Sequence, residues 1–156
     1  MNSRIKTIAL TLLVPVCLAS IGFAQDTEKK VKMNDLPAPV QAAVKEVSKG
    51  ATLRGLAKEV ENGKTFYEAE LTVKGHSKDV TVDPSGKIVT IEEQVTLASL
   101  PIAVKTEILK QAGKGKIHLI ESITENDAIV AYEAHVKTAG KVLEIKVSPE
   151  GKLLKD

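Results

Sequence analysis

The tripeptide Tyr67-Glu68-Ala69 returns 65 residues later as Tyr132-Glu133-Ala134. The same offset pairs Gly75 with Gly140 and Val82 with Val147. It also pairs Pro84-Ser85-Gly86-Lys87 with Pro149-Glu150-Gly151-Lys152. A recurrence at fixed spacing marks one supersecondary unit used twice. The unit opens at Leu36-Pro37 and opens again at Leu100-Pro101, here at an offset of 64. The change of offset predicts a one-residue insertion near the end of the second helix, because indels belong at surface connections.

Each unit begins with helical periodicity. Val40, Ala43, Val44 and Val47 form one apolar stripe, and Val104, Ile108 and Leu109 form the other. Pro37 and Pro101 suit a first helical turn, where a missing N–H costs nothing. Asn34 and Asp35 are candidate caps. Gly50, and Gly113 with Gly115, are placed to end the helices.

The rest of each unit reads as strands separated by short turns. Asn62-Gly63 is a hairpin signal. Along residues 65–74, Tyr67, Ala69, Leu71 and Val73 alternate with Glu68, Glu70, Thr72 and Lys74, which gives one buried and one wet face. Residues 128–138 repeat the pattern with Val130, Tyr132, Ala134 and Val136 inward. Residues 117–124 place Ile117, Leu119 and Ile123 inward. The last strand of the second unit, 152–154, is cut short.

The expected fold is therefore α+β: two tandem helix-plus-four-strand (αββββ) repeats in one antiparallel sheet. Short hairpins force the antiparallel order, and both helices cover the same apolar face. The first repeat is assigned to residues 34–98 and the second to 99–156. Residues 25–33 are polar and read as a flexible leader.

Residues 1–24 read as a cleaved signal peptide. Arg4 and Lys6 form its basic start, an apolar run follows, and Gly22-Phe23-Ala24 is the cleavage site. The run is short for a bilayer span and contains Pro15. The protein is thus expected to be exported, periplasmic or secreted, with no membrane insertion after cleavage. Cys17, the sole cysteine, lies in this segment, so the mature chain carries no thiol for a disulfide, a metal or a nucleophile. Without Arg4 and Lys6 the charge balance is 20 basic against 20 acidic residues. That balance removes the electrostatic basis for nucleic-acid binding.

Leu36-Pro37 with its helix, Tyr67-Glu68-Ala69 and Asp83-Pro84-Ser85-Gly86-Lys87-Ile88 return in the same order as Leu100-Pro101, Tyr132-Glu133-Ala134 and Ser148-Pro149-Glu150-Gly151-Lys152-Leu153. In this they resemble the PepSY and PepSY-like families, and the tandem arrangement is similar to a β-lactamase-inhibitor-like architecture. The resemblance implies small exported domains that bind or restrain other proteins, using an open, concave sheet face. The chain departs from the β-lactamase inhibitor itself in having no mature cysteine and no Tyr or Trp anchor on the predicted open face. None of that inhibitor's contact residues is carried over.

No catalytic constellation is visible. His76, His118 and His135 lack ligand spacing, and no serine sits in a nucleophile elbow. Gly113-Lys114-Gly115-Lys116 follows a helix, where a phosphate loop would precede one. Glu68, Glu70, Glu133 and His135 read as a solvated face, with Glu68 and Glu133 as partners for cross-strand lysines. The sequence thus points to a monomeric, non-enzymatic exported module without cofactor or metal. Its partner is expected to be a protein or peptide of the cell envelope. Phe66, Glu68, Glu70, Thr72, Glu133, His135 and Lys137 on the open face are the candidate contacts. The alternative is a binder of a small ligand or metal ion in a pocket between sheet and helices.

Overall fold

The computed structural model describes residues 27–155. The signal-peptide assignment lies outside the described residues. Eight strands run in sequence order across one antiparallel sheet: β1 (Thr27–Lys30), β2 (Thr52–Glu61), β3 (Lys64–Val73), β4 (His76–Val82), β5 (Ile88–Gln94), β6 (Lys116–Glu125), β7 (Ala128–Thr138) and β8 (Lys141–Val147). Helix α1 (Ala38–Val47) precedes β2, and α2 (Ile102–Ala112) precedes β6. Among the described residues, no helix is long and apolar enough to cross a membrane.

Each helix buries its stripe against its own strands. Val40 and Val44 of α1 are fully buried with Tyr67, Ala69, Leu71, Val80 and Val82. Val104 and Ile108 of α2 are fully buried with Ile120, Ala134, Val136, Ile145 and Val147. Register places both cores on one face. Leu56, Ala69, Val80, Ile91 and Thr124 stand opposite one another from β2 to β6, and Ile120 shares the face of Thr124. The space beneath the helices is thus filled by two side-chain cores made almost wholly of aliphatic residues.

Helix starts differ from expectation. Pro37 and Pro101 themselves take the N-cap positions in extended geometry, with no side-chain cap. Asp35 instead closes the preceding 3-10 turn by accepting from the Lys32 N–H at 3.0 Å. Leu109 of the predicted stripe is exposed, so α2 buries a narrower face than its sequence offers.

Four β-bulges interrupt the ladders: one at Val89 on β5, and three that account for the irregular strands. A bulge inserts one residue and reverses the faces beyond it. One at Arg54 explains why Leu53 and Leu56 break alternation. One at His118 puts Ile120 in the core, so Leu119 faces the opposite side, across from His135. One at Val130 leaves that residue exposed. Leu119, Ile123 and Val130 are expected inward; Leu119 turns to the other face and Val130 is exposed, whereas Ile123 does pack, 4% exposed, but on the face away from the helices.

The Val130 bulge also relocates the insertion. Val60 pairs Thr65 as Thr124 pairs Ile129, all at offset 64; Glu59 pairs Phe66 as Ile123 pairs Ala131, with β7 now at offset 65. The extra residue is Val130, inside a strand, and not a residue at the helix end.

Both sheet edges correct the sequence reading. Thr27–Lys30, expected within a flexible leader, forms edge strand β1 against β2. Its charged residues suit an edge that must not recruit other strands. The fourth strand of the second unit is reduced to a bridge between Val147 and Leu153, with the Leu154 N–H donating to the Lys146 carbonyl at 2.9 Å. The second unit is therefore helix plus three strands, and β1 brings the total to eight.

Candidate functional site

The face away from the helices is where the candidate residues lie. Phe66, Glu68, Glu70 and Thr72 alternate with buried Tyr67, Ala69 and Leu71 on β3. Glu133, His135 and Lys137 alternate with buried Ala134 and Val136 on β7. The sheet thus brings all seven to one face in two groups, with β4, β5 and β6 between them.

Those intervening strands make the face acidic. Glu70, Asp79 and Glu92 stand directly opposite one another on three adjacent strands. Like charges so placed repel. Glu121 lies opposite Glu133 and is 4 % exposed, accepting from Ser77 Oγ at 3.0 Å. Glu59, Glu61, Glu68, Glu92 and Glu125 line a hollow of about 290 Å³ on this face, together with Lys146.

The glutamates expected to be solvated are partly withdrawn from water. Burial, reinforced by Glu59, Asp79, Glu70 and Glu92, pushes the Glu68 carboxyl up to about 8. Burial, with Glu121 and Glu133 nearby, pushes Glu92 up to about 7 against the pull of Lys146. Burial also raises Asp79, with Arg54 pulling the other way. Desolvation and like charge both disfavour a carboxylate. Of the two cross-strand lysine pairs expected, Glu133 has one, with Lys146 Nζ at 3.5 Å. Glu68 faces Ala57 and Thr81.

Arg54 is the cation the first unit supplies to this face. From its bulge it reaches Asp79 Oδ1 at 2.8 Å and Glu70 Oε2 at 3.6 Å, and its Nε donates to the Leu71 carbonyl at 3.1 Å. Removing one member of a partly buried ion cluster leaves its partners uncompensated. Arg54→Gln is expected to lower stability by about 1–2 kcal/mol at neutral pH, read as a shift of the urea midpoint. An unchanged midpoint would mean that the pair is worth no more than an exposed one.

In the second unit His135 occupies the place of Glu70. Its Nε2 lies 3.2 Å from Glu133 Oε1 and 3.4 Å from Glu121 Oε2, and its Nδ1 lies 3.8 Å from Glu144 Oε1. One donor atom each from Glu133, His135 and Glu144 falls within 4.8 Å of the others. The His118 ring sits edge-on to the His135 ring, centroids 5.9 Å apart.

Sequence reasoning did not single out Arg54, Asp79, Glu92, Glu121 or Glu144. Asp79 had a readable signal, since Ser77-Asp79-Thr81 alternates with Val80 and Val82. Glu121 and Arg54 were hidden by the bulges that set their faces. His118 and His135 are 17 positions apart, and only the bulged β6–β7 register joins them.

No family model matches the chain, and no curated protein matches it in sequence. Solved structures do. A protein from Bacteroides eggerthii superposes with a TM-score of 0.62 at 20% identity, covering 77% of this chain and 86% of its own. A DUF2874 family protein from Bacteroides uniformis gives a TM-score of 0.59 at 21% identity, covering 76% and 86%. A BLIP-like protein from Bacteroides fragilis gives 0.53 at 23% identity, covering 76% and 84%. At these identities the likeness establishes the fold: an α+β, BLIP-like arrangement of an eight-stranded antiparallel sheet with two helices.

Proposed function

We propose that the protein is an exported, non-enzymatic binding module whose open sheet face docks a basic segment of a cell-envelope protein or peptide. The observation that carries this reading is the acidic centre of the face. Glu68, Glu70, Asp79, Glu92, Glu121 and Glu133 crowd together, with Arg54 and Lys146 as the nearby cations. A face that holds its own charges at such mutual cost gains when a partner brings Lys or Arg. Open placement favours a macromolecular partner over an enclosed substrate. The N-terminal export signature supports an envelope location, as does the provisional periplasmic description of the Bacteroides eggerthii protein. The BLIP-like description of the Bacteroides fragilis protein fits an inhibitory or restraining role.

Among the described residues, Phe66 is the one Phe, Tyr or Trp on the face, so large aromatic anchors contribute little and binding is charge-led. The mature chain, immobilised and exposed to envelope extract at about 50 mM salt, is expected to retain a basic protein. That protein should elute as salt rises to about 300 mM. The double variant Glu68→Lys, Glu133→Lys should lose it. Retention that survives both the salt and the charge reversal would refute a charge-led face.

A further inference from the structure

We propose that the second unit holds a divalent transition-metal ion of the zinc type on the open face, ligated by Glu133, His135 and Glu144. The proposal is independent of which partner the face engages.

Position by position, the two units balance the charge of this face differently. In the first, the bulge residue Arg54 lays its guanidinium on Asp79 and Glu70. In the second, the bulge residue is His118, Glu70 becomes His135, and Asp79 becomes Glu144. Glu68 keeps its carboxylate as Glu133. The permanent side-chain cation of the first unit has thus been exchanged for imidazole, and one of its acids has been exchanged for imidazole too. What stands at the equivalent place is two carboxylate oxygens and one ring nitrogen, from Glu133, Glu144 and His135, within 4.8 Å of one another. Lys146 Nζ lies 3.5 Å from Glu133 Oε2, and His135 Nε2 lies 3.2 Å from Glu133 Oε1. Among the described residues, Glu144 has no ion-pair partner except His135.

The donor chemistry selects the ion. Zinc accepts imidazole nitrogen and carboxylate oxygen at about 2.0–2.2 Å and is content with three protein ligands plus water. Calcium wants six to eight oxygens and magnesium a near-octahedral oxygen shell, which two carboxylates and a histidine do not offer. Tetrahedral donors stand about 3.3 Å apart, so the three groups must draw in by roughly an ångström. The exposed Glu144 side chain can make that adjustment. His118, on the neighbouring strand, is placed to approach as a fourth ligand.

The rival account is that the contacts of His135 with Glu121, Glu133 and Glu144 satisfy this cluster with no metal ion. The two accounts separate by titration. Tag-free, chelator-stripped mature protein is titrated calorimetrically with ZnCl2, and in parallel with CaCl2 and MgCl2. Zinc is expected to bind one-to-one, with calcium and magnesium at least tenfold weaker. His135→Ala and Glu144→Gln should each weaken zinc tenfold or more, while Glu70→Gln in the first unit leaves it unchanged. His118→Arg keeps all three ligands but restores the guanidinium of the first unit, and it should also abolish binding. Melting curves establish that each variant is folded. The proposal is overturned if wild type takes up no zinc at about 100 µM, as the rival account requires. It is equally overturned if zinc binding persists in the His135→Ala, Glu144→Gln double variant or is untouched by His118→Arg.

Discussion

Gly86→Ala and Gly151→Ala are each expected to lower stability by about 2–4 kcal/mol, or roughly 8–15 °C in melting temperature for a domain of this size. Both residues close the recurring Pro-x-Gly-Lys turns with φ of +89° and +83°. A β-carbon there costs of order 1–2 kcal/mol from backbone conformation alone. Here it also meets a wall. At Gly86 it would lie 2.8 Å from the Pro39 carbonyl oxygen, and at Gly151 it would lie 2.7 Å from Ala103 Cβ. Pro39 and Ala103 hold equivalent places in the first turns of α1 and α2, so relief would require moving a helix off its core. Gly75 is the internal control: its φ is +86°, yet a β-carbon would meet nothing within 4 Å. Gly75→Ala should cost only the conformational part, about 1 kcal/mol. Urea melts of the three variants isolate the packing term by difference. Equal losses at Gly75 and Gly86 would show that the turns do not brace the helices.

That contact explains why the turn motif was legible as a repeat. Each turn must pack a glycine against its own helix start, so Gly86 and Gly151 are constrained by packing as well as by conformation. The inward Tyr67, Ala69 and Leu71 were readable for a similar reason: a regular strand under a helix has strict alternation. What escaped the sequence was anything downstream of a bulge. Arg54 and His118 each add a residue to a strand, and a single added residue reverses every side chain beyond it until a second correction. Leu119 and Ile123 were therefore assigned to the wrong face. Glu121 went unnoticed as the buried acid of the site for the same reason. The insertion had the same origin: Val130 sits in a strand, where a bulge absorbs it as readily as a loop would. The candidate face was legible where its strands are regular, on β3 and the later part of β7. It was opaque on β6, whose parity depends on His118. The ionisation of the face was not legible at all. Glu68 and Glu92 look solvated in one dimension, and they become desolvated only when β3, β4 and β5 set Glu70, Asp79 and Glu92 side by side.

That crowding has a measurable result: the protein should be more stable near pH 5 than near pH 8.5. Folded Glu68 titrates near 8 and folded Glu92 near 7, against 4.5 for an unburied glutamate. Between 4.5 and those values the folded chain keeps protons that the unfolded chain releases. Rising pH therefore favours unfolding. The stability these groups contribute is complete below about 4.5 and is lost as pH climbs through 7 and then 8. Below 4.5 the slope reverses, because Asp83, Glu107 and Glu150 are held low by hydrogen bonds from Ser85, Gln111 and Ser148 and lose those interactions when protonated. After allowance for solvent screening on a partly exposed face, the drop from pH 5 to 8.5 is expected to be about 1–3 kcal/mol, read from urea midpoints. Glu68→Gln removes the titrating group while keeping its shape. It should raise stability at pH 8.5, leave pH 5 unchanged and flatten the slope; adding Glu92→Gln should flatten it further. A pH slope identical in wild type and the double variant would mean that Glu59 and Asp79, whose carboxyls burial also raises and which face these groups from β2 and β4, carry the effect instead. The same linkage bears on binding. A basic partner favours the ionised carboxylates, so its affinity should rise with pH over the interval in which the free protein loses stability, and each bound cation should expel protons from Glu68 and Glu92.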